Sequence, residues 1–274
     1  MVASLTKPVW TEEYETEILN QLAAQHAPYL LNLEKVETRP PETQAEKENF
    51  ARFRIAGAAH DLFIVQVIAR AIAQLIDDPH WQLSLSRQLG DDGAHSLNSR
   101  LRVQELLGYD PINEIQRQVK EHWEFMGDSA VRDWLGFAAF QIHYELHVVG
   151  PFLLQSRVGR ISDPKTASYF VDKILPDEAA HRLAVIDWWK QIYDKASANE
   201  RAELAQRLLE RDEEIQQRRT NYLIDHWDTA HKAKGITGVD GINAVYDGWR
   251  REVLAYLLDT PVEQLPQLLS VSQA

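Results

Sequence analysis

The stretch WLGFAAFQIHYELHVVGPFLLQS, residues 134–156, decides how this chain is read. Its 23 residues carry one formal charge, Glu145, near the middle. A run of that length raises the question of a membrane span. Gln141, His143, Glu145, His147 and Gln155 are too many polar groups for one, and no basic flank appears. The stretch reads instead as a helix buried on most sides. Residues 55–69 repeat the pattern, fifteen residues with Asp61 as their one charge. An isolated ionised carboxylate in such a setting costs several kcal/mol unless it is paired. Asp61 and Glu145 therefore each need a partner.

The rest of the chain is written in the same helical period. No alternating β-branched run bounded by tight turns is present, so the fold class is all-α. Helices are expected at about 11–34, 41–77, 81–107, 111–125, 130–156, 164–196, 199–227 and 242–258. Pro79, Gly108 and Pro111 act as breaks, Pro151 as a kink, and Gly235, Gly238 and Gly241 as a loop. Length and a 45% apolar composition suit one globular domain over 1–274. A net charge of −12 argues against a nucleic-acid or anionic-membrane partner. Zero cysteines excludes disulfides, thiolate nucleophiles and iron–sulfur clusters. No secretory signal is visible, so a cytoplasmic location is expected.

Partners for the two carboxylates come from two pentapeptides, Asp91-Asp92-Gly93-Ala94-His95 and Asp177-Glu178-Ala179-Ala180-His181. Both read Asp-[Asp/Glu]-x-x-His. On a helix, a carboxylate and a histidine three residues apart project from one face. Asp61 precedes Asp92 by 31 residues and Glu145 precedes Glu178 by 33. That separation suits an antiparallel hairpin that brings two mid-helix positions level. Two such hairpins would place four carboxylates and two imidazoles in the middle of a four-helix bundle. This is the donor set of a ferritin-like dimetal carboxylate site.

On these motifs the chain, over about 55–184, resembles the ferritin-like di-iron carboxylate superfamily. It looks most like the oxygen-activating branch, with its multicomponent monooxygenase hydroxylases and phenylacetyl-CoA epoxidase-type subunits. The resemblance implies a bundle core at about 42–196, with an N-terminal helix (11–34) and C-terminal helices (199–258) packed on it. It implies Asp61, Asp92, His95, Glu145, Glu178 and His181 as metal ligands. Asp91 and Asp177 would stand behind them, each holding an imidazole so that its other nitrogen faces metal. His60 is the competitor to Asp61, because adjacent helical residues point about 100° apart. Glu145 and Glu178 would be the bridging or shifting, catalytic carboxylates.

Oxygen-rich ligands without sulfur suit two iron ions, with a manganese/iron pair as the alternative. The activity implied is an O2-dependent oxidase or monooxygenase acting on a hydrophobic small molecule, aromatic or acyl-CoA in type. Its pocket would be lined by residues such as Leu135, Phe137, Phe140 and Ile142. Electrons would come from a separate reductase, and a homodimer or hetero-oligomer is expected. The alternatives are a non-catalytic scaffold subunit of an oxygenase complex and an iron-handling protein.

The sequence departs from the family pattern at three places. Asp92 stands where Glu is usual, and Ala94 and Ala180 replace the Arg that precedes each His. Gly90 and Gly93 flank Asp92, at about 1 kcal/mol each relative to Ala, which implies close packing or space left for a ligand. Pro176, directly before Asp177, implies a kink or π-bulge. His143 and His147 read as satisfied histidines against another helix, Tyr144 as packing, and the eight tryptophans as core and interface anchors. The Glu/Arg-rich stretch 200–219 reads as a solvated face laced with i,i+4 pairs, or else as a dimer contact.

Overall fold

The computed structural model describes residues 9–32, 37–145, 161–232 and 240–271, and every regular element among them is helical. Local chemistry sets the helix ends. Thr11 caps α1 (Glu12–His26) by accepting from the Tyr14 amide, and Glu12, Glu13 and Glu15 face the positive end of its dipole. The helix stops at His26 and not near residue 34. Ala27 precedes a proline, which excludes it from α geometry, and Pro28–Asn32 tightens into a 3₁₀ turn. A capping box between Thr43 and Glu46 opens α2 (Gln44–Gln74), three residues later than Pro41 suggested. Asp78 caps α3 (Pro79–Leu107), so Pro79 opens this helix at its first position, where it forfeits no hydrogen bond. Gly108, at φ 76°, closes it in the left-handed region.

The short link between α2 and α3 forces an antiparallel hairpin. Ala58 and Ala59 are fully buried, and the Ser96 hydroxyl donates to the Ala58 carbonyl at 2.8 Å, so the two backbones lie close at the level of the site. By length and composition α2 could cross a membrane, but half of that window is buried, as in a core helix. The next helix, α4 (Ile112–Met126), closes over α2, where Trp123 Nε1 donates to Gln66 at 2.7 Å. Asp133 caps the amide of Gly136 at 2.7 Å and starts α5 at 134, not at 130. Every residue of α5 from Leu135 to Glu145 is buried. The expected continuation through His147 and Pro151 lies outside the described residues.

Asp163 opens the last core segment. It caps Thr166 and receives a two-pronged bond from Arg102 of α3. The chain then runs as α6 (Pro164–Tyr169), a π turn (Phe170–Ile174) and α7 (Leu175–Lys195). The Leu175 amide reaches back to the Phe170 carbonyl, one residue further than in an α-helix. Pro176 explains the widening, because it has no N–H and its ring rejects the carbonyl four residues back.

Two long helices complete the chain, α8 (Ala198–Lys232) and α9 (Asp240–Leu257). The structure corrects the reading of 200–219 as a solvated face. Asp212, Gln216 and Arg219 form a buried stripe, while pairs such as Glu214–Arg218 hold the outer side. Asp212 is buried because Arg250 of α9 neutralises it, while His143 of α5, held neutral by burial, lies against it at 2.7 Å. Gly241 and Gly248 bring α9 against α1. A Cβ on Gly248 would lie 2.6 Å from Leu22, and one on Gly241 would collide with the His26 carbonyl. Gly241 sits in the first turn of α9 and not in the expected loop, whose Gly235 and Gly238 lie outside the described residues.

Glu15 of α1 and Arg182 of α7 form a fully buried two-pronged pair, both bonds at 2.9 Å. Glu15→Ala leaves the guanidinium unpaired in the core. It is expected to destabilise the protein by about 3 to 5 kcal/mol in urea denaturation, and the double change Glu15→Met, Arg182→Met should recover most of that loss.

Candidate metal centre

Polar side chains recur on one stripe of each helix that meets here. Gln88, Asp92 and His95 lie at i, i+4 and i+7 on α3, Gln141 and Glu145 at i and i+4 on α5, and Glu178 and His181 at i and i+3 on α7. All seven are buried. His95 Nδ1 lies 3.5 Å from Glu178 Oε1 and 3.9 Å from Asp92 Oδ1. His181 Nδ1 lies 3.7 Å from Glu178 Oε2, 3.8 Å from Glu145 Oε2 and 3.9 Å from Asp92 Oδ1. These spacings are longer than hydrogen bonds. Asp92, Glu178 and His181 each offer a donor atom within 4.8 Å of the others, a buried group that could hold a metal ion.

The outer imidazole nitrogens are tied crosswise. His95 Nε2 donates to Asp177 at 3.1 Å, and His181 Nε2 donates to Asp91 at 3.2 Å. Each pentapeptide thus anchors the other's histidine, and both Nδ1 atoms turn inward. Glu145 is held the same way, its Oε1 accepting from Gln88 at 2.6 Å while Gln88 accepts from Gln141 at 2.7 Å. Four inward atoms have no hydrogen-bond partner: Asp92 Oδ2, Glu145 Oε2 and both Nδ1. Buried polar atoms are paired almost without exception. These orphans cluster around Glu178, and His95, His181 and Glu145 are fixed from behind by Asp177, Asp91 and Gln88, so the group could serve as a preformed donor set for a cation.

Electrostatics agree with the geometry. Burial, then the neighbouring Glu178 charge, pushes the proton affinities of Asp92 and Glu145 well above the carboxylate range. Burial also raises that of Glu178, but the two imidazoles beside it outweigh burial and hold its carboxyl below the usual range. Burial lowers His95, yet Glu178, Asp61 and Asp177 overcome that and lift it to about 9. Without a metal ion, His95 carries the proton that a bound cation would displace.

Asp61 stands at the rim. Its side chain is 18% exposed and its only ion-pair contact among the described residues is His60 Nδ1 at 3.5 Å, although its charge is felt by Asp92, Glu145 and His95. His60 points elsewhere, stacked on Tyr144 at 5.1 Å among the rings of His122 and Tyr222. Gly90 and Gly93 leave space and are not sites of tight packing. A Cβ at Gly90 would meet nothing within 4 Å, and one at Gly93 only Val65 at 4.0 Å.

The pocket expected along Leu135, Phe137 and Phe140 is packed core, with Phe137 against Trp81 and Phe140 against Tyr144 and Phe63. Ile142 does line a cavity of about 10 Å³ with Glu145 and Arg182, room for about one water. His143 is satisfied by Tyr246 and Asp212. Gln88 and Arg182 were not singled out from sequence. The i,i+4,i+7 spacing of Gln88, Asp92 and His95 was the available signal for the glutamine.

Comparison with protein-family models, with curated proteins and with solved structures returns no match.

Two stability effects follow for the metal-free protein. Asp92→Asn copies the neutral form that burial favours and removes a like charge. It should raise Tm by roughly 2–4 °C for each kcal/mol gained, while weakening divalent-metal binding. His95 gains a proton on folding, so its contribution is full below about pH 6.5 and lost as pH rises toward 9. Tm should fall across that window, and His95→Asn should flatten the fall.

Proposed function

We propose that the chain is an O2-activating dinuclear iron oxidase or monooxygenase built on a ferritin-like four-helix bundle. The observation that carries this reading is the convergence of orphaned Asp92, Glu145, His95 and His181 atoms around Glu178 in a buried site. Asp92, His95, Glu145, Glu178 and His181 would hold the metal ions, with Asp61 reaching in from the rim. Charge balance supports two ions and not one. Asp61, Asp92, Glu145 and Glu178 offer up to four negative charges, which two divalent cations would neutralise, and Arg182, whose charge reaches Glu145, is already committed to Glu15. An all-nitrogen-and-oxygen donor set suits iron or manganese. When bound, two ferrous ions supply the electrons and the coordination site that O2 reduction needs.

The protein's own residues do the rest. Asp91 and Asp177 hold the imidazoles in the tautomer that leaves Nδ1 free to bind. Gln88 fixes one Glu145 oxygen and leaves the other for metal. The buried walls keep bulk water away from a reactive centre. The substrate would be a small molecule with an apolar body, and a separate reductase would return electrons. The rim position of Asp61 favours one second reading, a non-catalytic scaffold subunit of an oxygenase complex.

One experiment separates the two. Protein reconstituted with ferrous iron without oxygen is mixed with O2 and its uptake recorded. The oxidase reading expects uptake in proportion to bound iron, lost in His181→Ala. Uptake no faster than that of free ferrous iron would leave the scaffold reading.

A further inference from the structure

A second buried group in the same neighbourhood lacks the partner its chemistry requires. Arg54, on α2, is 3% exposed. It forms no ion pair with any described carboxylate. One terminal nitrogen reaches Asn98 at a long 3.4 Å, the guanidinium lies 5.4 Å from the centre of the Phe170 ring, and Nε has no partner. Arg102, Arg182 and Arg250, equally buried, each have a carboxylate against them. Arg219, which also has none among the described residues, is held by the His143 carbonyl at 2.6 Å and by the Tyr144 ring at 3.9 Å, whereas Arg54 has only long contacts. Burial pulls the Arg54 pKa down to about 10, against the pull of Asp61, Tyr169 and Asp163. A buried guanidinium left this way is costly, and guanidinium geometry matches carboxylate with two parallel bonds.

The position of Arg54 says what such a ligand would do. Arg54, Gly57 and Asp61 lie at i, i+3 and i+7 on one stripe of α2. A Cβ on Gly57 would meet nothing within 4 Å, so the surface between arginine and aspartate is open. From Arg54 to Asp61 the helix rises about 10 Å. Phe170 is followed back along the chain by Tyr169, whose ring meets His95 edge-on at 6.1 Å, so this surface adjoins the metal-ligand cluster. We propose that Arg54 is the carboxylate anchor of a binding site for a monocarboxylate with an apolar body, which lies over Gly57 with its far end at the Asp61 rim of the cluster. The identity of that ligand as substrate rests on the oxidase reading, whereas its binding does not.

The test uses the full-length, metal-free protein with octanoate and 1-octanol as probes, their affinities measured by calorimetry. The account expects octanoate to bind at least tenfold more tightly than the alcohol. Arg54→Met should remove that preference without weakening the alcohol, and Arg54→Lys should keep part of it. Gly57→Leu fills the open surface and should weaken both probes at least tenfold; it decides the matter if Arg54→Met does not fold. Equal binding of acid and alcohol, no acid binding at millimolar concentration, a preference that survives Arg54→Met, or full affinity in Gly57→Leu would each overturn the proposal. Ferrous-iron uptake is measured separately, by titrating the same protein without oxygen. Octanoate binding without metal uptake would sink the oxidase reading and leave this site standing.

Discussion

Three carboxylates and two imidazoles share a space that excludes water, and the rest of the structure is organised around that constraint. Asp92, Glu145 and Glu178 repel one another at a depth where each charge costs several kcal/mol. Only cations offset that cost. In the metal-free state the proton on His95, and those drawn onto Asp92 and Glu145, serve. The crossed bonds from His95 to Asp177 and from His181 to Asp91 then keep the donors aimed at one point. A buried group that could hold a metal ion gains its alignment from such bonds behind it, because its inward atoms find no partner in the protein itself.

The surrounding fold supplies the rigidity through buried, fully paired charges. Arg102 with Asp163 fixes where the last core segment begins. Arg182 with Glu15 fastens α1 beside the cluster, and Asp212 with Arg250 and His143 fastens α8 and α9 to α5. These pairs contrast with the cluster. In each of them a buried carboxylate has an arginine directly against it, whereas at the cluster the carboxylates have none. Arg54 shows the opposite imbalance, a buried positive charge with no described carboxylate against it. The two imbalances lie on adjoining surfaces, as an anionic ligand and metal ions would require.

Much of the site was legible because its chemistry is periodic. Two copies of Asp-[Asp/Glu]-x-x-His, with lone carboxylates 31 and 33 residues upstream, were enough to bring Asp92, His95, Glu145, Glu178 and His181 to one place. Asp61 was harder, because phase along a 31-residue helix decides whether a residue faces the centre or the rim, and composition is silent on phase. The crosswise histidine bonds were not legible either, since they depend on how α3 slides against α7. Stretch 200–219 misled for another reason: charged residues read as solvated until their buried partners, here on α5 and α9, are known. Helix ends moved by a few residues where caps at Thr43 and Asp133 overrode the first proline or alanine. Gln88 and Arg54 were missed because an amide or arginine within an apolar helix has meaning only beside its neighbours.

The central claim is that the orphaned donors around Glu178 are a two-metal site. Anomalous X-ray scattering at the iron edge, from crystals grown anaerobically with ferrous iron, tests it most directly. The account predicts two peaks among Asp92, Glu145, Glu178 and the two Nδ1 atoms, with His95 Nε2 and His181 Nε2 still bonded to Asp177 and Asp91. A cluster without anomalous signal, its carboxylates and imidazoles closed on one another by direct hydrogen bonds, would contradict it.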